Sequence, residues 1–388
     1  MKVLFDSQAF DMQSHGGVSR CFTELYAHLP QDIEARISVL ETRNIYLQAL
    51  GFKPSGSIYR NFLYKNDNLL KHILFKFCYN IRHGAYSRWN HTPKINQLES
   101  IEQIKAGDFD LLHPTFFNPY FIRYLYGKPY VITVHDMIPE LFPKYYARND
   151  FQIIQKKSVI SKAAHIIAVS QKTKEDLCQL LKIKEDKVSV IHHGVDDSPF
   201  IPSTVIKHKY EYILFVGERH FYKNFKSFVN CCVPILKRHQ HLNIICTGKP
   251  FTEDEKNMFI NLGIESRFIH EFPQTNQEML DLYHNAITFV YPSSYEGFGI
   301  PILEAYKADC PVMLNNASCF PEIAGDAAIY FNMNEVGSTN FEEQFETFYH
   351  LNSNEKQNLI NKQKERLKLY SWEKSANQLA NVYRQTLQ

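Results

Sequence analysis

The stretch YPSSYEGFGIPILEAYKADCPV, residues 291–312, carries the decisive pattern of this chain. An apolar run, ITFVY (287–291), leads into it and reads as a strand. Gly297 and Gly299 stand at a loop-to-helix junction, and Pro301 falls near the first helical turn, where its missing N–H costs nothing. Glu304 follows about one turn into the helix. The same strand-then-helix alternation extends outward on both sides. Towards the N-terminus it runs through RFIH (267–270), LNIICTG (242–248), a helix near Phe225–Arg238 and YILFVG (212–217). A separate series occupies the first half: VLF (3–5), a helix beginning near Val18, a strand at Ser38–Leu40, LLH (111–113), YVITV (130–134), IIAVS (166–170), a helix at Lys172–Leu181 and VSVI (188–191). Strands alternating with helices imply parallel sheets covered on both faces. Two such series imply two doubly wound α/β domains.

The polar, two-proline stretch Asp196–Lys209 is the natural boundary. The expected domains are 1–200, 205–370 and a C-terminal helix at 371–388. The stretch from Glu355 onward reads as two helices broken near Tyr370–Ser371. A chain of 388 residues exceeds what a single core of roughly 250–300 residues organises. Lys+Arg 43 against Asp+Glu 41 gives no global argument for nucleic acid. The eight cysteines include no C-x-x-C pair, which suits free thiols in a reducing compartment. The N-terminal MKVLFDSQAF lacks an apolar signal-peptide core, and no run approaches the ~20 apolar residues of a membrane span. A cytoplasmic protein is expected.

The chemistry of 291–312 suits an anionic ligand that also bears hydroxyls. Backbone N–H groups at Gly297, Phe298, Gly299 and Ile300 open a helix, whose N-terminus favours negative charge. Glycines let a ligand approach the backbone closely. Glu296 and Glu304, eight residues apart, would repel phosphate but accept hydrogen bonds from hydroxyls. A nucleotide sugar presents hydroxyls on both sides of a diphosphate. The plainer alternative is a helix opened by stabilising acids.

The string EGFGIPILE resembles the E-x7-E motif of glycosyltransferase family four, retaining enzymes of GT-B fold, with two Rossmann-like domains facing a central cleft. HGGVSR (15–20), VHDMIPELFP (134–143), VSVIHHGVD (188–196), FVGERHFYKN (215–224) and NNASCFPEIAGDAAIYFN (315–332) resemble further family segments in the right order. The resemblance implies that Glu296 contacts the transferred sugar and Glu304 the ribose. It implies a basic pair at the donor diphosphate: Lys223 matches the family lysine, and Arg219 is the nearest substitute for its arginine. It places His135, directly after the strand YVITV, near the donor sugar, where it would position and polarise that sugar. Gly16 and Gly17, ahead of the Val18 helix, offer amides to the diphosphate or the acceptor. The implied activity is metal-independent retaining transfer of a hexose to a glycan or lipid-linked glycan in bacterial polysaccharide assembly. Its donor is a nucleoside diphosphate sugar, GDP-mannose before a UDP-hexose, and no cofactor is implied. Base recognition falls on loops near Glu271–Asn276. The other classes are a GT-B sugar-nucleotide epimerase or phosphorylase, and a non-catalytic GT-B partner. Asp108-Phe109-Asp110 mimics a metal-binding D-x-D but leads into LLHPTFF and reads as a strand lead-in.

Residues 53–94 differ from the rest. Eight basic residues, Lys65, Lys71, Lys76 and Arg82 among them, are opposed only by Asp67 and interleaved with aromatics. Such a segment suits an anionic membrane surface at the inner face of the cytoplasmic membrane, where a lipid-linked acceptor would be presented. A solvated basic helix pair is the competing reading, and no RNA-recognition motif accompanies it.

Overall fold

A computed structural model describes residues 1–55, 91–146, 150–219, 221–333 and 339–388. Most of the basic, aromatic segment 53–94 therefore lies outside the described residues. The chain forms two compact units. One comprises Met1–Val169, Thr173–His192 and Trp372–Gln388; the other comprises Ser170–Lys172 and His193–Ser371. The division thus runs at His192/His193, ahead of the polar stretch 196–209, and the last helix, Trp372–Thr386, lies with the first unit.

The first unit is built on β1 (Lys2–Phe5), β2 (Glu34–Ile37), β3 (Leu111–His113), β4 (Val131–Val134), β5 (His165–Ala168) and β6 (Val188–Val190). All pair in parallel, as β2-β1-β3 and β4-β5-β6. A bridge between Leu112 and Tyr130 joins the two halves. Side chains alternate faces along a strand, so β1 feeds two cores. Val3 and Phe5 pack with Phe22 and Leu25 of the helix Gly17–Ala27 and with Ala376, Leu379 and Tyr383 of the last helix. Leu4 packs on the opposite face with Ile132, Val134, Ile166, Phe121 and Val159. A strand buried on both faces reads as an unbroken apolar run, which is why VLF and VITV were legible.

The second unit holds β7 (Tyr212–Phe215), β8 (Asn243–Cys246), β9 (Phe268–His270), β10 (Thr288–Tyr291), β11 (Val312–Asn315) and β12 (Ile329–Phe331) in the order β12-β11-β10-β7-β8-β9, all parallel. This is the doubly wound order of a dinucleotide-binding sheet. The chain builds β8 and β9 on one side of β7, then returns to place β10 on the other. That reversal opens a crevice beyond the carboxyl ends of β7 and β10, where open α/β sheets bind ligands.

Two expectations are corrected. The strand expected at Ser38–Leu40 lies earlier, at Glu34–Ile37, in register Lys2↔Glu34 with β1. Its EARI pattern is only partly apolar because this edge strand is only partly buried. Ser38 instead bonds the Phe5 carbonyl (3.1 Å) and the Ser100 hydroxyl (2.6 Å). Strands β11 (Val312–Asn315) and β12 (Ile329–Phe331) were not anticipated; each follows a short turn after a helix, at 308–311 and 325–328. Among the described residues, no helix is long and apolar enough to cross a membrane.

Candidate functional site

β10 ends at Tyr291, and the chain turns through residues 292–299 before the helix Ile300–Lys307. Gly299 caps that helix at φ +98°, a left-handed conformation that L side chains rarely adopt. A Cβ there would stand 3.1 Å from Ile302 Cδ1 and 3.4 Å from the Phe320 ring. Glycine therefore allows this turn to close. A helix start leaves backbone N–H groups without intrahelical acceptors at the carboxyl end of β10, though here Pro301 carries none and Ile302 N–H donates to the Gly299 carbonyl (2.9 Å).

Lys223 and Glu296 meet here. Lys223 Nζ donates to Glu296 Oε1 at 2.5 Å and to the Tyr291 hydroxyl at 3.4 Å. The two side chains are 13% and 11% exposed, so the pair is largely dry. Removing either partner would strand a charge in a poorly solvated place. Burial, and then the Glu296 charge, raise the Tyr291 phenol well above its ordinary pKa, keeping it neutral. Glu296 is held from behind: its N–H donates to Ser318 Oγ (3.2 Å), and its carbonyl accepts from Ser318 Oγ (2.7 Å) and Cys319 Sγ (3.2 Å). Glu304, half-buried on the first turns of the helix, accepts from the Tyr283 hydroxyl at 3.4 Å.

Lys223 is delivered by the loop after β7. Asn224, left-handed at φ 53°, caps the helix Phe225–Arg238. Its amide donates to the Pro292 carbonyl (2.9 Å) and Ser294 Oγ (2.8 Å), while Ser294 N–H donates to the Tyr222 carbonyl (2.7 Å). These bonds tie the loops after β7 and β10 together across the crevice. Asn315, at the end of β11, likewise bonds the carbonyls of Ser293 and Met333.

Arg219 has a different task from the one expected. Its guanidinium bonds Glu255 (Nε to Oε1, 2.7 Å) and the carbonyls of Thr247, Lys249 and Pro250. It also lies over the rings of Phe225 and Phe251. Only 5% of the side chain is exposed. The structure thus does not bring Arg219 to Lys223 and Glu296; in this conformation it braces the β7 loop against the β8 loop. That brace matters because Gly217 and Gly248 touch: a Cβ on Gly248 would fall 2.6 Å from the Gly217 carbonyl oxygen.

In the first unit, His135 follows β4 directly. Burial pushes its imidazole down to about pKa 4, so it is neutral at physiological pH. The Phe22 ring meets it edge-on at 5.8 Å. The carboxylate of the next residue, Asp136, accepts from Ile138 N–H (3.0 Å) and caps the next turn. Gly16 caps the helix Gly17–Ala27, and its carbonyl accepts from Ser19 Oγ and Arg20 N–H. A Cβ on Gly16 would press on the Gln13 amide at 2.6 Å, and that amide accepts from Ser19 N–H. Asp108 and Asp110 are occupied structurally: Asp110 accepts from Lys2 N–H, and Asp108 pairs with Lys2 and Arg36.

Sequence reasoning missed Tyr291, Tyr283, Asn224, Asn315 and Ser318. A signal existed only for Asn224, an asparagine directly before an apolar-periodic helix. The others act through partners far along the chain.

Residues 15–198 match the family model described as Glycosyltransferase Family 4, and residues 196–366 match that described as Glycosyl transferases group 1. The O-antigen chain mannosyltransferase RfbU of Salmonella typhimurium is 30% identical over 209 residues, covering 53% of this chain and 58% of that protein. The O-antigen chain mannosyltransferase B of Escherichia coli is 28% identical over 221 residues, with the same coverage. The chain thus spans under two thirds of the length of these curated relatives. Among solved structures, Anabaena HepE in complex with UDP and glucose aligns over 99% of both chains at TM-score 0.69 and 14% identity. WaaG, a glycosyltransferase involved in lipopolysaccharide biosynthesis, aligns over 98% of this chain and 99% of its own at TM-score 0.63 and 12% identity. These likenesses establish the GT-B fold.

Proposed function

We propose, from the premise that the chain belongs to the glycosyltransferases that join a family 4 domain to a group 1 domain, that it moves a hexose from a nucleoside diphosphate sugar to an acceptor hydroxyl. The acceptor is a glycan or lipid-linked glycan of a surface polysaccharide. Mannose from GDP-mannose is the first choice, since RfbU and its Escherichia coli counterpart are named as mannosyltransferases. One observation carries the reading: the dry Lys223–Glu296 pair beside the glycine turn that starts the helix Ile300–Lys307.

Such a pair is a ready donor site. Lys223 exchanges Glu296 for a phosphate oxygen and serves as a point charge on the leaving group. Glu296, released, accepts a hydroxyl of the transferred sugar. The amides of the helix start face the diphosphate, and Glu304 accepts from ribose hydroxyls. His135, neutral, hydrogen-bonds the transferred sugar without adding charge. The bond from the anomeric carbon to the phosphate oxygen breaks as the acceptor oxygen bonds the same face. The departing phosphate takes the acceptor's proton, so configuration is retained. The protein contributes position and stabilisation of developing phosphate charge. Lysine and amides carry that charge, and a divalent ion is not needed. The reading carries with it a cytoplasmic location and reversible attachment to an anionic membrane.

The test begins with thermal shifts against GDP, UDP, ADP and their sugars. A ligand at 100 times its Kd adds about 2.7 kcal/mol. Transfer with the stabilising donor is then followed in excess EDTA, with the product's anomeric configuration read by NMR. Stabilisation by no nucleotide would overturn the donor assignment. Activity lost in EDTA and restored by manganese would overturn metal independence, and an inverted product would overturn retention.

A further inference from the structure

Within the first unit, the last helix reaches the strand end beside His135. Tyr383, fully buried on Trp372–Thr386, places its hydroxyl 2.6 Å from His113 Nδ1. His113 closes β3, and its Nε2 lies 2.9 Å from Thr133 Oγ1 on β4. Burial, and then the neighbouring His135, push the His113 imidazole far below its ordinary pKa. A neutral imidazole has one N–H, so one nitrogen donates and the other accepts. Either the Tyr383 hydroxyl donates to Nδ1 and Nε2–H donates to Thr133, or Nδ1–H donates to Tyr383 and the Thr133 hydroxyl donates to Nε2; one tautomer couples the two bonds.

Two links lead from His113 to His135. Thr133 lies on β4, and His135 is the first residue past the end of that strand, two positions on. The Phe22 ring stands nearly perpendicular to both imidazoles, 5.2 Å from His113 and 5.8 Å from His135. Phe22 belongs to the helix that Gly16 caps. The last helix is itself fixed: Ser375 Oγ donates to the His192 carbonyl (2.7 Å), and Arg384 pairs with Asp32 (2.7 Å).

We infer that Tyr383 is a positioning residue for His135, acting through His113, Thr133 and Phe22, so that the C-terminal helix sets the orientation of the imidazole offered to the substrate. The part played by His135 in transfer rests on the function proposed above; the coupling between the two side chains does not.

The test is Tyr383→Phe, which removes the hydroxyl and keeps the ring. In 15N-histidine-labelled protein, assigned with His113→Gln and His135→Ala, the ring resonances of both His113 and His135 should move. In turnover, kcat should fall about tenfold with the donor KM unchanged, within the ~100-fold that a 1 Å misplacement costs. On a His135→Ala background the same substitution should cost nothing further, because a positioning residue has then nothing to position. His135 resonances that stay in place while those of His113 move would overturn the coupling, whether or not transfer is observed. Equal losses of kcat with and without His135 would reduce Tyr383 to a structural residue.

Discussion

At the scale of single residues, Glu296 and Glu304 share a helix start but differ in company. Glu296 is paired with Lys223 and locked from behind by Ser318, whereas Glu304 accepts from the Tyr283 hydroxyl. Glu296→Ala is therefore expected to lower kcat by about 100- to 1,000-fold, the cost of a desolvated hydrogen bond made at the transition state. Glu304→Ala should chiefly raise the donor KM. Steady-state kinetics separates the two, and wild-type values in both would remove the site from this turn. His113 supports a pH prediction. Its folded pKa, about 3, lies below the ordinary 6.5, so between those values the unfolded chain binds the extra proton. Its contribution to stability is thus complete above about pH 6.5 and declines as pH falls toward 3. Urea midpoints at pH 7.5, 6 and 5 should fall more steeply for wild type than for His113→Gln. Parallel slopes would show that His113 takes up its proton without unfolding.

At the scale of elements, the candidate site is made by loops that bond each other beyond the strand ends. Asn224 joins the β7 loop to the β10 loop, and Arg219 joins the β7 loop to the β8 loop. Gly299 determines how the β10 loop enters its helix. Gly299→Ala would put a Cβ against Ile302 and Phe320 in a backbone conformation costing about 1–2 kcal/mol for an L residue. The expected result is a lower Tm together with weakened nucleotide binding, since the same turn aims the helix amides. Isothermal titration on the folded variant decides it; unchanged affinity would mean that the amides do not hold the diphosphate.

At the scale of the whole molecule, each unit has its own sheet and its own core. The proposed donor groups Lys223, Glu296 and Glu304 all lie in the second. A nucleotide should then protect amides of His193–Ser371 in hydrogen exchange, foremost around 217–224 and 291–304. Stabilisation by about 2.7 kcal/mol at 100 times the Kd is large enough to be read locally. Protection confined to Met1–Val169 would move the donor to the first unit.

The alternation of strands and helices was legible in the sequence because strands buried on both faces are nearly unbroken apolar runs. YILF, VITV and VLF could be read without knowing their neighbours. The glycine turn and the two carboxylates of 291–312 were legible for the same reason: a helix start is a local event, made by residues a few positions apart. Edge strand β2 was misplaced because partial burial leaves no such run. Pattern matched Lys223 to the family lysine and offered Arg219 as a substitute for its arginine, but it could not say what either side chain would bond. Their fates depend on acceptors brought from elsewhere: Glu255, 36 residues on, for the first, and Glu296, 73 residues on, for the second. Tyr383 meets His113 across 270 residues. Local periodicity reflects the face each residue must bury. Which distant side chain it finds there depends on the order in which strands join the sheets, and only the folded chain decides that.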